Sequence, residues 1–135
     1  FRTLLGERHS RIVTKLADER RAVAARWGVR NLPSTDEWLD RFAGTMTGTM
    51  VRPVPQPNQA DHLIRCATMG SLVPLQSAAQ LAGLPVPATS AMIELAHQSI
   101  GGDLLHAGRR LDNMGFVDTD LDSIRTQLDA MTVAT

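Results

Sequence analysis

The stretch from Leu5 to Trp27, LGERHSRIVTKLADERRAVAARW, decides the fold class. Ile12, Leu16, Ala24 and Trp27 fall near one face at helical spacing, which predicts a long first helix. Arg20, Arg21 and Arg26 sit toward its end, where the helix dipole is negative, and Gly28 suits the left-handed position after it. Ser34 followed by Glu37 forms a capping box for a short second helix, with Trp38, Leu39 and Phe42 as its apolar side. Residues 43–58, AGTMTGTMVRPVPQPN, read as a long Pro- and Gly-rich loop of a kind that is often functional. Further helices are predicted from Gln59 to Met69 and after Leu72, the latter with Pro74 in its first turn and Gly83 at its end. Leu84-Pro85-Val86-Pro87 reads as an extended connector. A helix from Thr89 to Ile100 carries Met92, Ile93, Ala96 and Ile100 on one side and stops at Gly101-Gly102. A short helix from Arg109 to Met114 ends at Gly115. The last, from Asp118 to Met131, repeats Leu121, Ile124, Leu128 and Met131 as a narrow packing seam. No run alternates as a strand would, so an all-α domain of six or seven helices is expected over residues 1–135.

Composition narrows the function. The chain has 135 residues, of which 14 are Lys or Arg and 14 are Asp or Glu. A neutral balance argues against nucleic-acid binding, which needs a basic face to displace counterions. One cysteine rules out an intrachain disulfide and a Cys-based zinc site. No apolar run approaches the ~20 residues of a membrane span, and no basic leader opens the chain. A reducing cytoplasm is therefore the expected location, with neither nucleic acid nor membrane as partner. The chain opens on Phe1, inside what reads as a running helix, so a piece of a longer protein is expected.

Spacing alone draws no catalytic centre. His9, His62, His97 and His106 form no HExxH motif and no i, i+4 pair with one another, so no metal site is expected. His97 reads as a half-buried, satisfied residue and His106 as a solvated one. Cys66 beside Arg65, with no His next to it in sequence, is either a reactive thiol or, the better fit to its type, a free and inert core or boundary cysteine. Gly44, Gly48, Gly101 and Gly102 make no phosphate-binding loop, since no strand precedes them. Asp118, Asp120 and Asp122 lack the Gly and closing Glu of a calcium loop and read as helix-start acids. Met46, Met50 and Met69 read as packing.

Three stretches taken together carry a resemblance. Glu19 to Gly28, ERRAVAARWG, resembles the helix that opens the C-terminal domain of octopine and nopaline dehydrogenases. Leu72-Val73-Pro74 with Leu81-Ala82-Gly83-Leu84-Pro85-Val86-Pro87 resembles that family's "LVP…LAGVPTP" segment. Ile93-Glu94-Leu95-Ala96, Gly102-Asp103 and Gly108-Arg109-Arg110-Leu111-Asp112-Asn113-Met114-Gly115-Phe116 resemble its "IELA…GRD…GRTLEKLGL" ending. The match keeps order and spacing and leaves out the final helix.

The resemblance implies the substrate-binding and dimerisation domain of an opine dehydrogenase-like oxidoreductase, with a helical fold like the C-terminal domain of 6-phosphogluconate dehydrogenase. Such enzymes condense an amino acid with a 2-oxo acid reductively, using NAD or NADP held by an N-terminal Rossmann domain. That domain and the catalytic His would precede Phe1, so the fragment alone would be inactive. The implied partners are this Rossmann domain, the two substrates and a second copy in a homodimer, because a separated helical domain exposes apolar faces. One departure stands out. The family usually carries Arg-Tyr-…-Glu-Asp-Val-Pro before "LVP", its Arg holding a substrate carboxylate and its Asp supporting the catalytic His. Counted back from Pro74, those positions fall on His62 and Ala67, or one residue later on Leu63 and Thr68. Neither Ala nor Thr can stabilise an imidazolium. Asp61, His62 and Arg65 remain as candidate substrate contacts, with an i, i+4 ion pair between Asp61 and Arg65 as the plainer expectation. The alternatives are a non-catalytic module pairing through its last helix and the helical domain of a hydroxy-acid dehydrogenase.

Overall fold

A computed structural model describes residues 7–38, 57–116 and 120–133. Leu39, Phe42, most of the 43–58 loop, Met46, Met50 and Asp118 lie outside them. Among the described residues there are six α-helices, a π-helical turn and no strand. The α-helices are α1 (Glu7–Arg26), α2 (Pro57–Ala67), α3 (Val73–Leu81), α4 (Pro87–Ile100), α5 (Leu104–Ala107) and α6 (Leu121–Val133), and the π-turn spans Thr68–Leu72. The fold class is all-α, as helical spacing required. No helix among the described residues is long and apolar enough to cross a membrane.

The end of α1 follows its sequence signals. Gly28 takes φ 83°, and the Val29 N–H reaches back to the Ala24 carbonyl at 2.9 Å. A left-handed residue there closes the last turn without the steric cost a Cβ would bring. Val23 then packs with Ala79 and Val86, and Trp27, Leu75, Ala78 and Leu84 surround them. The Trp27 indole Nε1–H donates to the Ala78 carbonyl at 3.1 Å, which fixes α1 against α3. Ile12, expected on the packed face, is half exposed because that end of α1 extends beyond this cluster. Ser34 and Glu37 form the expected capping box, with bonds of 2.7 and 3.1 Å that open a helical turn at residues 35–38.

The expected break between the third and fourth helices is absent. The chain stays helical from Pro57 to Leu81, with Ala67, Leu72 and Val73 all in right-handed helical conformation. Pro74 lacks an N–H and crowds the preceding turn, and a regular α-helix would kink there. The backbone widens instead: the Val73 N–H skips one residue to the Thr68 carbonyl. Pro74 cannot supply the next bond of this wider ladder, so the Met69 carbonyl accepts the Arg109 N–H at 3.1 Å. Gly108 lies directly against this turn. A Cβ there would sit 2.7 Å from Val73 Cγ1.

The helix expected over Arg109 to Met114 is absent. The segment is held by bonds to other parts of the chain and by a turn: the Arg109 N–H donates to the Met69 carbonyl, the Leu111 N–H to Ser77 Oγ and the Arg110 N–H to Asn113 Oδ1, and the helical bond from the Met114 N–H to the Arg110 carbonyl at 3.0 Å is not continued. Residues 111–115 form a turn, and the short helix is α5, capped by Asp103 on the His106 N–H. Two other starts shift: α2 begins at Pro57 and α4 at Pro87, each Pro being suited to a first helical turn. In α6, Asp120 caps Ser123, and Leu121 and Ile124 are buried. The described first half of its seam thus faces this chain's own core. Leu128 and Met131 are beyond what is described of side chains.

Candidate functional site

Asp61, His62 and Arg65 all stand exposed on α2, but they do not converge. The expected ion pair between Asp61 and Arg65 is not formed. The Arg65 guanidinium extends instead toward Gly102, where an added Cβ would lie 3.3 Å from Nη1. His62 turns the other way, and its Nε2 lies 3.5 Å from Cys66 Sγ. Cys66 is a free, exposed thiol, which corrects the expectation of a core or boundary one. The side of the helix toward α4 carries Ile64, Ala67 and, in the π-turn, Thr68, and Cys66 lies off it. The spacing of His62 and Cys66, one helical turn, is legible in the sequence, but a reading of Cys66 by its immediate sequence neighbours passes over it.

Two cavities hold more chemistry than α2 does. One, of about 410 Å³, lies between α3, α4 and the start of α5 and is lined by Gln76, Ser90, Glu94, His97 and Asp103. His97 is half-buried there, as expected. Asp103 accepts from the His106 N–H at 3.0 Å and pairs with its Nδ1 at 2.6 Å, so His106 is exposed yet not merely solvated. The backbone bond from His106 outweighs desolvation and holds the Asp103 carboxyl below its ordinary range, helped by the imidazole. Gln76 donates to Ser90 Oγ at 2.7 Å, and Ser90 donates to the Val86 carbonyl. The other cavity, of about 400 Å³, is an apolar groove between α1, the 35–38 turn and the π-turn, with Arg20 at its edge.

Glu19 and Arg20 are adjacent in sequence and work in opposite directions. Glu19 is buried, and its carboxylate accepts the Ala88 N–H at 2.7 Å, the Thr89 N–H at 2.8 Å and the Thr89 hydroxyl at 2.7 Å. It therefore caps α4 from across the core, where Val86 offers no side-chain cap. Burial pushes its carboxyl upward, but the Thr89 and Ala88 bonds and the Lys15 charge together hold it below the usual range. The neighbouring Arg21 pairs with Asp18. Among the described residues no three His, Cys, Asp or Glu side chains come together in a way that could hold a metal ion. Compared with family models, curated proteins and solved structures, the chain matches none.

Proposed function

We propose that this chain is the substrate-binding helical domain of an NAD(P)-dependent opine dehydrogenase-like oxidoreductase, with a fold like the C-terminal domain of 6-phosphogluconate dehydrogenase. One observation carries the reading: the three stretches that resemble the family hold one another in place. Glu19 of the first caps α4 directly after the second, and Trp27 of the first binds Ala78 between the two parts of the second. Val73 of the second meets Gly108 of the third, whose next residue, Arg109, bonds to the π-turn carbonyl of Met69.

The described residues do not fit the dinucleotide. They hold no strand leading through a glycine-rich turn into a helix, the arrangement that cradles a pyrophosphate. In this reading the cofactor belongs to a Rossmann domain of the full-length parent, and the helical domain contributes substrate contacts and closure. Asp61, His62 and Arg65 are the contacts proposed on α2, whose exposed position suits a surface that faces another domain. The test is reductive condensation by the parent protein, followed as NAD(P)H oxidation across pairs of amino acids and 2-oxo acids. Oxidation that requires both substrates is the expected result. Turnover with a hydroxy acid alone would move the assignment to a hydroxy-acid dehydrogenase, and a parent without a Rossmann domain would end the enzyme reading.

A second reading, a non-catalytic dimerisation module, is favoured by a different feature. Leu63, Ile64 and Leu95 are exposed beside a groove of about 240 Å³ between α2 and α4, an apolar face on the outside of the fold. A parent that sediments as a dimer and shows no turnover with any substrate pair would favour this reading over the first.

A further inference from the structure

We infer that the groove beside Arg20 is a binding site for a small carboxylate with an apolar tail. Its floor is hydrocarbon: Leu16 of α1, Leu72 of the π-turn, Leu75 of α3 and the Trp38 ring. At about 400 Å³ it falls toward the small end of the range for ligand pockets, roughly 300–1,000 Å³. Such a site takes its orientation from a few polar groups at the edge of an apolar wall. Here the polar groups select an anion.

Among the described residues that line the groove, Arg20 is the charged one. The acids that precede it in sequence are both committed elsewhere, Asp18 to Arg21 and Glu19 to the start of α4. No described residue forms an ion pair with Arg20, so its planar fork is available for bidentate binding of a carboxylate. The second polar group is Thr35. Its Oγ1 is shielded from solvent and makes no hydrogen bond, which is unusual for a buried hydroxyl. A rotamer change toward the groove costs Thr35 no existing bond and supplies a donor for the carboxylate oxygen. The tail then lies on Leu16, Leu72, Leu75 and Trp38. Free short-chain acids and 2-oxo acids share this chemistry.

The site needs no dinucleotide and no second domain, so it is tested on this chain by isothermal titration calorimetry. The probes are hexanoate and 2-oxohexanoate, with hexanol and hexylamine as controls of equal length. Both acids are expected to bind one per chain, at least ~10-fold tighter than either control, which is the effect of a single charge-assisted contact of about 1.4 kcal/mol. Arg20→Gln is expected to bring the acids down to the level of hexanol while leaving hexanol unchanged. Arg20→Lys should restore part of the preference, and Thr35→Val should weaken the acids several-fold. Arg20 is exposed, so circular dichroism of Arg20→Gln should match the parent chain and separate lost binding from lost fold. Tighter binding of 2-oxohexanoate than of hexanoate would show that the groove recognises the 2-oxo group as well as the carboxylate, and equal binding would show that the carboxylate and tail suffice. Equal affinity for acid and alcohol, unchanged acid binding in Arg20→Gln, or no binding by any probe would overturn the site. A catalytically inactive parent that still binds the acids would remove the dehydrogenase reading and leave this one standing.

Discussion

Removing the Glu19 carboxylate should leave three donors at the start of α4 without their acceptor. Glu19 is 7% exposed and accepts three bonds of 2.7–2.8 Å from Ala88 and Thr89. In Glu19→Ala the two backbone N–H groups at the start of α4 lose their partner, and so does a hydroxyl on a fully buried residue. A lost cap contributes about 1 kcal/mol, and each buried donor left unsatisfied adds roughly 1–3 kcal/mol, partly offset by water entering the space. The sum expected is about 3–4 kcal/mol. Glu19→Gln keeps one acceptor oxygen but loses the charge and turns an NH2 toward a donor, for about 1.5–2 kcal/mol. Urea unfolding followed by circular dichroism measures both, and the midpoint should fall with the slope unchanged. The pH dependence has a definite sign. The folded carboxyl is lowered, so its contribution is complete above the unfolded pKa of about 4.3 and is lost as pH falls through the folded value. The difference between parent and Glu19→Gln should therefore shrink in acid. A Glu19→Ala cost below about 1 kcal/mol, or a gap to Glu19→Gln that does not change with pH, would refute the capping role.

Three further outcomes are expected. Gly108→Ala should destabilise by about 1–3 kcal/mol in urea unfolding, since its Cβ would meet Val73 Cγ1, Val73 Cβ and the Leu104 carbonyl at 2.7, 2.8 and 2.9 Å, and Val73→Ala, which keeps its Cβ, should not restore the loss in a double-mutant cycle. Trp27→Phe should cost about 1 kcal/mol in urea unfolding, from the lost indole bond to the Ala78 carbonyl. Cys66 should react fully with a thiol reagent under native conditions, as an exposed residue, and a need for denaturant would place it inside.

Local rules read some parts of this protein correctly because the interactions behind them are local. The Ser34–Glu37 box and the Gly28 stop each rest on residues a few positions apart, and both stand as expected. The helix over Arg109 to Met114 failed for the opposite reason. There Gly108, Arg109 and Leu111 are held against Val73, Met69 and Ser77, far away in sequence, and the backbone follows those contacts. The break expected near Leu72 failed because a proline can be absorbed by widening a helix, provided another segment takes the freed carbonyl. Of the candidate residues, Asp61 and Arg65 are paired by spacing alone, and in the folded chain Arg65 lies beside Gly102 instead. The groove beside Arg20 was invisible for the same reason: α1, the 35–38 turn and the π-turn meet only in the folded chain.

Periodicity, caps and glycine stops by themselves determined that this chain is all-α and roughly where its helices lie, because burying one face of each helix requires that pattern. Only the tertiary structure decided what Glu19 and Arg20 do. Adjacent side chains on a helix point about 100° apart, so what each one meets depends on the neighbours packed beside it. Glu19 meets the bare start of α4 and becomes a structural cap. Arg20 meets an apolar groove in which no described lining residue is an acid, and no described residue pairs with its charge.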